Sequence, residues 1–242
     1  MNFKLIVTGT IELLLSPTYF FADYKKSKYG SENKNISPLI KRFNSIYLLI
    51  ASLIALGLFF YANSGSAINV SRAIFPMVLV VTESKVAPTI PPTEVYKTEL
   101  GDAFFWFAMF IVWVYPLSRA NEIIYAFYRD AIEKLNGEPS RSDLKYGERI
   151  QLAVKSYIEL IINFASIYML LPPCYFDNKI NSYIDALYFS GVTITTLGYG
   201  DISPRYAFPQ FLSVYEVLCG FTLIVVSFAV YTGRGIEASG SA

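Results

Sequence analysis

The stretch Asn181–Tyr206, NSYIDALYFSGVTITTLGYGDISPRY, decides how the rest of the chain is read. Its first part reads as a short helix, Tyr183 to about Thr195. An extended run follows, then a turn at Ser203-Pro204. A membrane-crossing helix needs about 20 mostly apolar residues. This segment is too short for that and too polar, with its glycines gathered at the end. Irregular backbone at membrane depth is tolerated only where protein or a water-filled cavity surrounds it. If its flanks cross a membrane, the stretch is a re-entrant segment enclosed by other helices.

The flanks do read as membrane spans. Of the 242 residues, 54% are hydrophobic and 16% are charged, against about 25% charged in soluble domains. The apolar residues fall in blocks. Between Arg42 and Arg72 no residue is charged, and the centre reads SIYLLIASLIALGLFFYA, Ser45–Ala62. A second block, Asp102–Ser118, has 16 uncharged residues and is short for a span. Local thinning, or an Arg119 side chain reaching for the interface, would accommodate it. A third block runs from about Ile150 to Leu171 and stops at Pro172-Pro173. A fourth runs from about Gln210 to Thr232.

Arg and Lys in short loops set orientation. Thirteen of them fall on one side of this four-span arrangement and five on the other. Both termini are therefore expected in the cytoplasm of a multi-pass protein of the cell membrane. The first 21 residues contain Lys4 and Glu12 and break near Pro17. They read as an interfacial amphipathic helix. A fifth span or a signal peptide are the other readings. The resulting division is an N-terminal segment 1–43, two outer helices with their connections 44–148, a unit of the last two spans and the stretch between them 149–234, and a tail 235–242.

The outer connection, Asn63–Gly101, holds Pro76, Pro88, Pro91 and Pro92 and reads as a cap or a segment packed on the helices. The inner connection begins RANEIIYAFYRDAIEKL. Ala120, Ile123, Ile124, Phe127, Ala131 and Leu135 recur at helical spacing. This predicts an amphipathic helix that lies on the membrane or extends the second span, and Asn136-Gly137-Glu138-Pro139 ends it.

Composition also excludes classes. A net charge of +1 rules out a strongly basic nucleic-acid binder. The absence of histidine removes histidine catalysis and His-ligated zinc or haem. Cys174 and Cys219 cannot build a metal cluster. No catalytic carboxylate pair stands out, so an enzyme is not expected.

Thr195-Thr196-Leu197-Gly198-Tyr199-Gly200-Asp201 resembles the potassium-channel filter signature, usually written T-V-G-Y-G-D. The resemblance covers roughly Ile150–Thr232. Leu197 departs from the commoner valine, leaving the backbone carbonyl unchanged. The resemblance implies a pore helix and a filter loop between the last two spans; with the two earlier apolar blocks, the expected fold is an all-α membrane protein with four transmembrane helices per chain. One chain supplies one filter strand, so the resemblance also implies a homotetramer in membrane lipid, with the pore on its four-fold axis.

The chemistry implied is replacement of water around a permeant potassium ion by carbonyl oxygens. Aiming successive carbonyls at one axis needs backbone of alternating hand, which glycine allows. The implied ion ligands are the carbonyls of Thr196, Leu197, Gly198 and Tyr199, with the Thr196 hydroxyl at the inner end. Thr195, Gly200 and Asp201 support them, and Tyr188-Phe189 occupies the place of an aromatic cuff. Tyr199 is expected to point its ring outward into that cuff. Glu216 is the one charged residue between Arg205 and Arg234. Ionisable groups at membrane depth are functional candidates, and it is expected behind the filter. Gly220 reads as a gating hinge or as a site of close helix packing. Lys155 and Glu159 read as an ordinary i,i+4 helix pair. No span carries arginine at every third position, so an intrinsic voltage sensor is not expected. The resulting expectation is passive, potassium-selective conduction. A weakly selective cation channel and a non-conducting scaffold or enzyme subunit are the alternatives.

Overall fold

The computed structural model describes residues 16–30, 36–63, 101–136 and 142–224. Within its helices, the side chains of 29–30, 61–63, 101–111 and 134–135 are outside the description. The expectations for residues 1–15, the long outer connection, the tail and the fourth span beyond Ile224 therefore lie outside the described residues. What is described is helical: α1 Pro17–Gly30, α2 Ser37–Asn63, α3 Gly101–Leu135, α4 Tyr146–Leu170, α5 Tyr183–Ile194 and α6 Ala207–Phe221. A short 3-10 turn, Pro173–Tyr175, follows α4. Among the described residues there is no strand, only one antiparallel bridge between Phe176 and Pro204.

Three of these helices are long and apolar enough to cross a membrane, over Ser37–Phe60, Tyr146–Leu170 and Ala207–Ile224. They fall on the first, third and fourth apolar blocks. The side chains of 101–111, most of the second block, lie outside the description. The block forms the start of α3, which continues without a break through Pro116 into the amphipathic segment. Of the two readings of that segment, extension of the second block is the one observed. Its expected inner face is in place, with Ala120, Ile123 and Ala131 buried. Pro17 opens a helix: proline is well suited to a first helical position, where its missing N–H costs nothing.

The third block forms the hub. Helices α2, α3, α5 and α6 all pack against α4 of the same chain. Phe164, Ala165, Ile167 and Tyr168 in its outer half are all buried. Tyr168, Phe176 and Phe189 form a cluster, with centroids 4.8 Å apart for Tyr168 and Phe189 and 5.3 Å for Phe176 and Phe189. Edge-to-face pairs at such spacing add to area burial.

A buried charge cluster joins α3 to α4, and it corrects two expectations. Arg119 does not reach for the interface. Its Nε and Nη2 donate to the two carboxylate oxygens of Glu159 at 2.8 and 2.9 Å. Its Nη1 lies 2.6 Å from Glu122, and its guanidinium stacks 3.9 Å over the Tyr47 ring of α2. Glu159 is therefore not committed to Lys155 on its own helix. Arg119 and Glu159 are 3% and 0% exposed, which explains the choice. A carboxylate so deep needs a partner that is equally desolvated, and the planar fork of Arg matches it.

Candidate functional site

Helix α5 is built to start and stop where it does. Ser182 caps it, accepting from Asp185 N at 3.1 Å, while Asp185 accepts from Ser182 N at 2.9 Å. This reciprocal box satisfies the first donors of the helix. At the other end Thr196 N donates to Thr193 O at 2.9 Å and Leu197 N to Val192 O at 3.1 Å. Thr195 Oγ1 donates to Gly191 O at 2.6 Å. The candidate filter thus grows directly from the last carbonyls of α5, which a helix end otherwise leaves unpartnered.

From there the backbone alternates. Thr196 (φ 60°), Gly198 (φ 56°) and Gly200 (φ 77°) have positive φ, and Leu197 and Tyr199 between them do not. Residues of opposite hand in alternation turn successive carbonyls to one side of the strand. Two of the three are glycine, which adopts this hand freely. Thr196 adopts it against its own preference, and such strain in a non-glycine residue collects at functional sites. Leu197 and Tyr199 are 61% and 68% exposed in the single chain.

Tyr188 and Asp201 are brought together: Tyr188 Oη donates to Asp201 Oδ2 at 2.7 Å. Phe189 is not near them. It is the next residue on a helix, so it points away, into the aromatic cluster with Tyr168 and Phe176. The expected aromatic pair is thereby divided, one ring for the loop and one for the core.

Glu216 sits behind α5. It accepts from Tyr168 Oη at 2.8 Å, and Ser190 Oγ lies 2.5 Å from its other oxygen. It is fully buried. Gly220 packs on the end of α5. A Cβ there would come within 2.6 Å of Ile194 Cγ1 and 3.1 Å of Ile194 O. Close packing is the reading of Gly220 that this contact favours. Immediately after it, residues 222–224 take a wider π-type turn, a feature often found at functional sites.

A clasp at the outer end has no counterpart in the sequence reading. Asp177 N donates to Ser203 O at 2.9 Å and Arg205 N to Tyr175 O at 2.8 Å. Asp177 accepts from Ser203 Oγ at 2.6 Å and also pairs with Arg205. Bonds from Ser203 and Arg205 hold the Asp177 carboxyl below its ordinary range. Asn178 Nδ2 donates to Asp201 O. The chain leaving α4 thus fastens the chain leaving the candidate filter. No spacing rule links residues 177 and 205, so the pairing was invisible beforehand.

Comparison with known proteins finds matches to part of the chain. Residues 156–235 match a family model described as "Ion channel", so this part of the chain carries an ion-channel domain. Over 81 residues the chain is 35% identical to "Two-pore potassium channel 3" of Arabidopsis thaliana, covering 32% of this chain and 19% of that protein. It is 28% identical over 90 residues to "Protein LctB" of Geobacillus stearothermophilus, covering 33% of this chain and 66% of that one. The LctB protein of Bacillus caldotenax is 27% identical over the same shares. The chain therefore spans less than two thirds of these curated relatives. No solved structure matches.

Proposed function

We propose that four copies of this chain form a potassium-selective channel that conducts down the electrochemical gradient. Each copy contributes one filter strand, and both termini lie in the cytoplasm of the cell membrane. Helices α4 and α6 are the outer and inner pore helices, α5 is the pore helix, and α2 and α3 are the outer spans. The carrying observation is the alternation of backbone hand at Thr196, Gly198 and Gly200, directly after a helix too short to cross a membrane. The carbonyls of Thr196, Leu197, Gly198 and Tyr199 would ligate the permeant potassium ion. Tyr188 and Asp201 brace the outer end. The potassium channel among the relatives supports the choice of ion.

The membrane-facing and assembly-facing surfaces fit this reading. Ile46, Leu49, Leu53, Leu56 and Phe60 form an exposed apolar stripe on α2 suited to lipid tails. Leu197 and Tyr199 are largely exposed among the described residues of one chain, a surface that neighbouring chains would cover in the proposed tetramer. The deciding experiment is ion uptake into vesicles holding the purified protein. Potassium is expected to enter far faster than sodium. Equal rates for the two ions would replace this reading with a weakly selective cation channel, and no movement from an intact tetramer would reject conduction.

A further inference from the structure

The hydrogen bonds around Glu216 allow its protons to be counted. Ser190 Oγ lies 2.9 Å from Ile161 O and 2.5 Å from Glu216 Oε1. A hydroxyl carries one proton. If the carboxyl is ionised, both neighbours are pure acceptors, and one of the two close oxygen pairs has no hydrogen in it. Tyr168 Oη lies 2.8 Å from Glu216 Oε2, and Ser213 Oγ lies 3.0 Å from Pro209 O. A proton on Glu216 Oε1 fills both Ser190 pairs; the longer approach of Tyr168 Oη to Ser213 Oγ, 3.4 Å, is outside ordinary hydrogen-bond range and is left without one. Glu216 then donates to Ser190, Ser190 to Ile161 O, Tyr168 to Glu216 Oε2 and Ser213 to Pro209 O. Each of these four pairs holds one hydrogen.

The surroundings agree with the count. Glu216 is 0% exposed. Among the described residues, no Lys or Arg forms an ion pair with it. The titratable groups near it are Tyr157 and Tyr168 from α4 and Cys219 from its own helix; α5 offers it the Ser190 hydroxyl. None of these supplies a positive charge. A buried carboxylate without a counter-charge takes up a proton instead of remaining ionised.

We propose that Glu216 is held as a neutral carboxylic acid and is the positioning residue that ties the pore helix to the inner and outer helices, by donating to Ser190. The proposal rests on the pore reading above and deepens it. One side chain links three elements: α6, which carries it, α5 through Ser190 and α4 through Tyr168. The acid form does this without placing four negative charges, one per chain, behind a ring of filter carbonyls.

Infrared spectroscopy of the full chain in lipid vesicles tests the proton directly. The wild type at neutral pH should show the carbonyl stretch of a buried protonated carboxylic acid, shifted in heavy water and missing from Glu216→Gln. Absence of that band overturns the proposal. The band does not depend on ion movement, so it remains decisive even if potassium uptake fails. Positioning is tested by rescue. Glutamine can donate from its amide nitrogen to Ser190 and accept from Tyr168; alanine can do neither. Glu216→Ala should cost about tenfold in potassium uptake, equivalent to about 1.4 kcal/mol, and lower the thermal midpoint of the assembly. Glu216→Gln should recover most of both. If glutamine loses as much as alanine, the donor role is wrong.

Discussion

Gly198 illustrates how much a single missing side chain decides. A Cβ added there would meet nothing within 4 Å in the chain, yet φ is +56°. The objection to alanine is therefore one of backbone conformation and not of space. An L-residue in this hand costs about 1–2 kcal/mol, and a four-fold filter would incur it four times around one ring. Gly198→Ala is expected to abolish potassium uptake in vesicles while leaving helix content unchanged by circular dichroism. Undiminished uptake would refute the carbonyl mechanism.

Gly220 fails alanine for the opposite reason. Its φ is ordinary, but Ile194 occupies the space a Cβ needs. Overpacking of this kind costs about 1–3 kcal/mol. Gly220→Ala should lower the thermal midpoint, and adding Ile194→Ala should return part of the loss. Residues in contact show such coupling, whereas distant ones simply add. A glycine serving only as a hinge predicts altered conduction with no rescue from Ile194→Ala.

At the scale of elements, the junction between α3 and α4 carries the largest single risk. Glu159 lies about 20 Å along α4 from Tyr146, counted at 1.5 Å per residue, and so well inside the span. Removing one member of a buried ion cluster costs about 3–5 kcal/mol, because the remaining charges lose their partner. Arg119→Met is expected to destabilise the assembly by about this much, read as a shift in thermal or denaturant midpoint. Replacing all three charges together, Arg119→Met with Glu122→Gln and Glu159→Gln, should cost less than Arg119→Met alone. If the triple variant is worse, the cluster contributes net attraction beyond its burial cost. Tyr215, donating to Asn121 Oδ1 at 2.5 Å, gives α3 a second attachment, this time to α6. Helix α3 is thus coupled to both α4 and α6 through polar contacts, which have defined geometry.

At the scale of the whole molecule, the proposed tetramer predicts which face of the chain its neighbours cover. Helix α6 buries Leu212, Glu216, Cys219 and Gly220 on one side and exposes Phe211, Val214, Leu218 and Phe221 on the other. The exposed set repeats at helical spacing, and in the proposed tetramer it would face neighbouring chains or the pore. Cross-linking in native membranes should give a ladder that ends at four chains. A ladder ending at two would leave each filter strand without the partners that close a ring of carbonyls.

Residue order alone carried the local facts. Helical boundaries at Ser182-Tyr183 and Pro172-Pro173, the apolar blocks and the glycines of TLGYGD are governed by backbone sterics, capping and hydropathy, and those act over a few neighbouring residues. Folding in three dimensions settled what depends on partners far apart along the chain. Arg119 found Glu159 and Glu122, Asp177 found Arg205, and Tyr188 and Phe189 parted to opposite sides. Glu216 came to lie between Ser190 and Tyr168. Polar groups buried in a membrane protein must find whichever complementary group packing brings within about 3 Å, and no periodicity along the chain encodes which one that is.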